Sequence, residues 1–169
     1  MRETKKIWMN GELVDWDDAT VHVGTHGLHY GSGVFEGIRA YETERGTSVF
    51  RLTDHLERLH RSAQLLYLDL PYSVDELKTA TWDLIGANEL PSCYLRPIAF
   101  VGYGELGVSA VGNPVDVAIM SWPWRLPRRR GPAQRNPCQG VELAAGRSER
   151  HPARREGDRR LPQLDAGRR

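Results

Sequence analysis

Apolar residues on both sides of an Asn10-Gly11 pair, within Ile7 to Val23, predict a two-stranded hairpin whose turn uses positive φ. Val34 to Tyr41 and Ser48 to Leu52 predict two more strands, joined by a polar turn at Glu44-Arg45-Gly46. From Leu52 the period lengthens. Leu52, Leu56, Leu59, Ala63 and Leu66 then fall on one face of a helix. A second helix opens at Ser73, where Glu76 three residues on completes a capping box, and runs to about Asn88. Cys93 to Val101 and Val115 to Ser121 read as short apolar strands. No internal repeat is visible. Strands, two helices and strands again predict an α+β domain with one modest core.

Composition changes this picture at Trp124. Every Phe, Trp, Tyr, Ile, Met and Lys lies at or before that residue, and Arg, Pro, Gly and Ala fill 28 of the 45 positions after it. A segment without large apolar side chains cannot offset its ordering entropy, so 125–169 is expected to be a disordered tail and 1–124 the folded domain. Lys+Arg stand at 10 against 17 Asp+Glu up to Trp124 and at 13 against 5 beyond it, so an acidic body precedes a basic tail. Such a tail attracts phosphates but has no aromatic for base stacking, and no nucleic-acid partner is expected. Cys93 and Cys138 form no CxxC pair, and no signal peptide or apolar run of membrane length occurs. No membrane partner and no metal are expected, and the compartment expected is the cytoplasm.

Several constellations are candidates for chemistry. His22, His26 and His29 have the spacing of helical metal ligands, but they sit among Gly24, Gly27 and Gly31 in what reads as strand and loop. Gly31-Ser32-Gly33 with Gly37 has the wrong spacing for a dinucleotide loop, and a strand follows it rather than a helix. Glycines there suit a backbone passing close to a ligand or a neighbouring strand. Arg58 follows Arg51 and His55 on one side of the first helix, where they can hold a phosphate by charge-assisted bonds. The same residues also fit surface pairs, Asp54–Arg58 and Glu57–Arg61. Tyr94 and Arg96 share one face of a strand, a planar cation beside a phenol that suits a carboxylate ligand, although an ordinary half-buried strand has the same pattern.

Taken together, IWMNGELVDWDDATVHVGTHGLHYGSGVFEGIRAYE, FRLTDHLERLHRSAQLL, CYLRPIAFVGYGELGV and VAIMSWPW resemble the N-terminal domain of branched-chain amino acid aminotransferases. These are fold-type IV pyridoxal phosphate enzymes, and the resemblance implies a small domain with an antiparallel-rich sheet and two helices. Leu28 to Arg39 is its most specific stretch. It implies that Arg58 binds the cofactor phosphate. Phe35, Tyr94 and Arg96 would face the substrate, and Trp124 would line the space for its side chain. Tyr30 and Val108 match positions lent to the site of a neighbouring subunit, so a homo-oligomer is implied. The implied reaction is ping-pong transamination, moving the amino group of leucine, isoleucine or valine to 2-oxoglutarate, with a lysine as Schiff-base partner and proton carrier. D-amino acid aminotransferases and aminodeoxychorismate lyases are the alternatives within the class.

The lysines are Lys5, Lys6 and Lys78, and none falls in the family's lysine motif. No catalytic lysine can be named, and the 169-residue polypeptide is expected to be an inactive, truncated small domain. The tail reads differently in another frame. Back-translating His151 to Arg159 and dropping one nucleotide permits Ile-Pro-His-Ala-Ala-Lys-Ala-Thr-Gly, which resembles the family's cofactor-lysine segment. The lysine codon then straddles Glu156 and Gly157. Asn136 to Ala144 and Arg159 to Gly167 permit family-like continuations in the same frame. A one-nucleotide slip just after Trp124 accounts for all three. A non-catalytic module that binds a partner subunit is the reading from another class.

Overall fold

The computed structural model describes residues 4–123. Trp124, the domain boundary drawn there and the expected disorder of the tail lie outside the described residues. β1 (Lys6–Met9) and β2 (Glu12–Asp15) form the first hairpin. Asn10 and Gly11 take the φ values of 49° and 100° that a two-residue turn of this hand requires. The hairpin is shorter than the Ile7 to Val23 span expected for it. Trp16 still donates its N–H to the Lys5 carbonyl, but a 3-10 turn at Trp16–Asp18 then carries the chain away.

Where strand and loop were expected at the three histidines, a short helix α1 (His26–Tyr30) forms, closed by Gly31 in the left-handed conformation. Tertiary bonds override the local pattern there, because the His26 N–H donates to the Gly102 carbonyl. The single strand expected over Val34 to Tyr41 is two, β3 (Gly33–Phe35) and β4 (Ile38–Thr43). β5 (Gly46–Val49) ends earlier than Leu52, because Arg51 turns left-handed at φ 49° to start α2 (Leu52–Leu65). Leu66, assigned to the buried stripe, caps α2 and is exposed; Leu52, Leu56, Leu59 and Ala63 are buried as expected. α3 (Val74–Ala87) carries the full capping box, with the Ser73 hydroxyl accepting from the Glu76 N–H and the Glu76 carboxylate accepting from the Ser73 N–H. β6 (Cys93–Val101) and β7 (Val115–Pro123) are the two long strands.

The sheet runs β2-β1-β7-β6-β4-β5, with β3 also on β6, and every pairing is antiparallel. Strict alternation on β6 gives it two distinct faces. Cys93, Leu95 and Ala99 pack with Val117 and Ile119 of β7 against Leu56 and Leu59 of α2 and Leu77 and Leu84 of α3. Tyr94, Arg96, Ile98 and Phe100 point the other way, to a face that α2 and α3 do not cover. Asn88, at the end of α3, ties the helical layer to the sheet. Its amide bonds both the N–H and the carbonyl of Lys6 and donates to the Ser121 hydroxyl.

Candidate functional site

Two groups of side chains leave the sheet on opposite sides of one dipeptide. β3 and β4 lie in a common register on β6, with Phe35 opposite Ile98 and Ile38 opposite Leu95, so Glu36 falls opposite Pro97. Proline has no N–H to return. Only one bond of that pair forms, from the Glu36 N–H to the Pro97 carbonyl at 2.9 Å, and the ladder breaks there. The pleat still alternates through the break. Phe35 and Gly37 are on the open face, and Glu36 points toward α2.

On the open face the Arg96 guanidinium lies over the Phe35 ring, 4.4 Å from its centre, and 5.6 Å from the centre of the Tyr94 ring. Tyr94 in turn stacks on Trp122 with ring centres 4.8 Å apart. The structure thus brings together Phe35, Tyr94 and Arg96, as expected, and adds Trp122. The buried Nε of Arg96 has no hydrogen-bond partner among the described residues. A donor kept from water beside exposed aromatic surface is suited to an acidic ligand with an apolar body. Gly37 makes room for this group: a Cβ there would overlap the Tyr94 hydroxyl and lie 3.0 Å from the ring carbon that bears it.

On the helical side, Glu36 is 4% exposed and accepts two bonds from Arg58, through Nε and Nη2, each 2.5 Å long. A third contact, 3.0 Å, comes from Nδ1 of His55. Burial alone would raise the Glu36 carboxyl, but the bonds and charges of Arg58 and His55 outweigh it and hold it below the ordinary carboxylate value. Arg58 therefore does not pair with Asp54, which is taken by Arg51 at 2.8 Å. Arg51 accordingly leaves the group of three cations read from the sequence. The other surface pair, Glu57–Arg61, is present at 3.8 Å.

Tyr30 and Val108 belong to neither group, and His26 links Tyr30 to Gly107, the residue before Val108. The buried His26 ring stacks on Tyr30 at 4.4 Å, and its Nε2 donates to the carbonyl of Gly107, one residue before Val108. That assignment leaves Nδ1 to accept from the Ser32 hydroxyl at 2.8 Å. His29 donates to the Val23 carbonyl and His22 accepts from the Gly24 N–H, so the three histidines hold backbone and do not converge. Tyr30 and Val108 themselves are 49% and 93% exposed.

An Amino-transferase class IV family model matches residues 33–158, a span that takes in both groups and continues past Trp124. The chain belongs to the class IV aminotransferases. It is 51% identical over 118 residues to a branched-chain-amino-acid aminotransferase of Pseudomonas aeruginosa, covering 70% of this chain and 38% of that one. The enzyme of that name from Escherichia coli K12 is 49% identical over 125 residues, covering 72% and 40%. The crystal structure of an Escherichia coli branched-chain amino acid aminotransferase superposes with a TM-score of 0.71 at 47% identity, over 72% of this chain and 40% of that one. The T.th. branched-chain amino acid aminotransferase complexed with N-(5'-phosphopyridoxyl)-L-glutamate gives a TM-score of 0.71 at 42% identity, over 73% and 42%. The chain spans about 40% of the length of these relatives. Their fold-type IV architecture is the one described above, an α+β unit with an antiparallel sheet, here with three helices counting the short α1.

Proposed function

We propose that this chain is the small-domain portion of a branched-chain amino acid transaminase acting in the cytoplasm, which moves the amino group of leucine, isoleucine or valine to 2-oxoglutarate. The observation that carries this reading is the pair of groups flanking the Phe35-Glu36-Gly37 turn, in a chain about half identical to enzymes of that name. Pyridoxal 5'-phosphate is the cofactor, and when bound it supplies the electron sink for proton transfer at the amino acid α-carbon.

The donor set fits that cofactor's phosphate. Arg58 is 59% exposed, and with Nε and Nη2 on Glu36 its Nη1 is left for a phosphate oxygen. Phe35 and Trp122 offer apolar walls to a branched side chain, while Tyr94 and Arg96 can receive the second carboxylate of glutamate or 2-oxoglutarate. Both substrates are then served by one surface. Trp124 is assigned, by family resemblance, to the space for that branched side chain. The exposed Tyr30 and Val108 are assigned to the site of a second copy in a homo-oligomer.

Lys5, Lys6 and Lys78 are the lysines available, and none belongs to either group. The polypeptide of these 169 residues is therefore proposed to be inactive by itself, with the cofactor lysine encoded in the shifted frame across Glu156 and Gly157. Two experiments test the reading together. Borohydride reduction of the purified chain with pyridoxal 5'-phosphate is expected to leave no stable adduct and no leucine-dependent turnover. The gene corrected by one nucleotide after Trp124 is expected to give both. Turnover by the uncorrected chain, or none by the corrected one, refutes the proposal.

A further inference from the structure

We propose that Glu36 is a positioning residue that turns Arg58 into an oriented phosphate fork, an inference that rests on the reading of Arg58 as the phosphate arginine. An arginine on a helix surface ordinarily samples many rotamers and meets an anion as a diffuse cation. Arg58 is different. Its Nε and Nη2 are fixed on a carboxylate that is itself buried and bonded by His55. The Nε–Nη2 edge of the guanidinium is occupied by Glu36, Nη2 also lies 3.4 Å from Nδ1 of His55, and the Nη1–Nη2 end of this 59% exposed side chain is the one left for a ligand. That end matches two oxygens of a tetrahedral phosphate monoester.

The arrangement trades charge for geometry. Glu36 cancels most of the long-range pull of Arg58 on any anion, so affinity for a simple anion such as chloride falls. What remains is directional bonding, which a phosphate uses and a spherical ion does not. Glu36 thus acts on anion selectivity more than on anion affinity. It also lies between Phe35 and Gly37 in the chain, so the residue that orients the phosphate contact is covalently next to the substrate-facing wall.

The test uses the 169-residue chain, with inorganic phosphate and chloride as probes and the Arg58 Nε–Hε resonance as the reporter. In the wild type, Arg58 Hε is expected to exchange with solvent more slowly than that of Arg61, and to shift saturably with phosphate at constant ionic strength. Glu36→Gln frees a positive charge, which raises the pull on both anions alike, so the ratio of their affinities isolates orientation. That ratio should fall about fivefold in favour of chloride, which corresponds to ~1 kcal/mol.

The wild type provides a second measurement that needs no variant. Phosphate keeps one charge as the pH is lowered below the ordinary carboxylate range, while Glu36, held below its ordinary value by Arg58 and His55, takes up its proton only there. Arg58 Hε protection and the preference for phosphate should fall together as Glu36 is protonated. A preference unmoved by either removal of the Glu36 charge overturns the positioning role alone. An Arg58 resonance indifferent to phosphate overturns the phosphate reading as well.

Discussion

Gly37→Ala and Gly86→Ala are the same chemical change with opposite expected signs. At Gly37 the added methyl group overlaps the Tyr94 hydroxyl and comes within 3.0 Å of Cζ. Residue 37 is tethered between β3 and β4, both of which are paired to β6, so the phenol has to swing aside. Swinging it opens the Tyr94–Trp122 stack, now 4.8 Å between centres, and shifts one of the two rings that flank Arg96. Overpacking of this kind costs about 1–3 kcal/mol, and a lost aromatic pair adds roughly 0.5–1.5 kcal/mol. At Gly86, near the end of α3, a Cβ meets nothing within 4 Å and φ is ordinary. There alanine should stabilise the chain by about 0.5–1 kcal/mol through helix propensity alone. Urea unfolding of both variants gives the two signs. Near-UV circular dichroism separates the causes, because only Gly37→Ala should lose the signal of the stacked Tyr94 and Trp122. Equal stability for the two variants, or an intact near-UV band in Gly37→Ala, would refute the claim that Gly37 is there to admit Tyr94.

Other expectations concern stability and reactivity. Ser73→Ala removes the hydroxyl of the capping box and should lower unfolding stability by about 1 kcal/mol, measured by denaturant titration, with the sheet's near-UV signature unchanged. Because the Glu36 carboxyl is held below its ordinary value, its contribution is fully present above the unfolded value of about 4.3 and is lost as pH falls through the folded one. Stability measured from pH 7 down to 3 should therefore decline at the acid end, less steeply in Glu36→Gln, and equal slopes would contradict the assignment. Burial pushes the Cys93 thiol up to about 11, so alkylation at pH 8 mapped by mass spectrometry should leave Cys93 unmodified until the chain is unfolded.

The parts of the fold legible in the sequence are those whose signal is local. β6 is an uninterrupted alternation, and the start of α3 is written in Ser73 and Glu76, so both are legible at their observed limits. The break between β3 and β4 is not, because its cause is Pro97, about sixty residues away and adjacent only through the sheet. A separation of 22 residues, bridged only by the packing of strand on helix, hides the partner of Arg58. Helical spacing offers Asp54, whereas the carboxylate that binds it comes from a strand. Glu36 has one available signal: an acidic residue between Phe35 and Gly37, in a stretch otherwise of small and apolar residues. His26 draws notice for its spacing with His22 and His29, but its ring is bonded to a serine and a backbone carbonyl. Family resemblance places Phe35, Tyr94 and Arg96 together, and the alternation of β6 alone accounts for Tyr94 and Arg96 sharing a face.

The broken ladder at Pro97 has a mechanical consequence. A continuous ladder would hold the backbone between the two faces by bonds on every pair. Here the return ladder bond is missing at Glu36, in the dipeptide that sends Phe35 one way and Glu36 the other. Any strain that rocks this short segment moves both side chains at once and in opposite senses, like the two arms of a lever on one pivot. A substitution tuned to one side of the sheet will therefore be felt on the other. A substitution at Phe35 should also disturb the contact between Glu36 and Arg58.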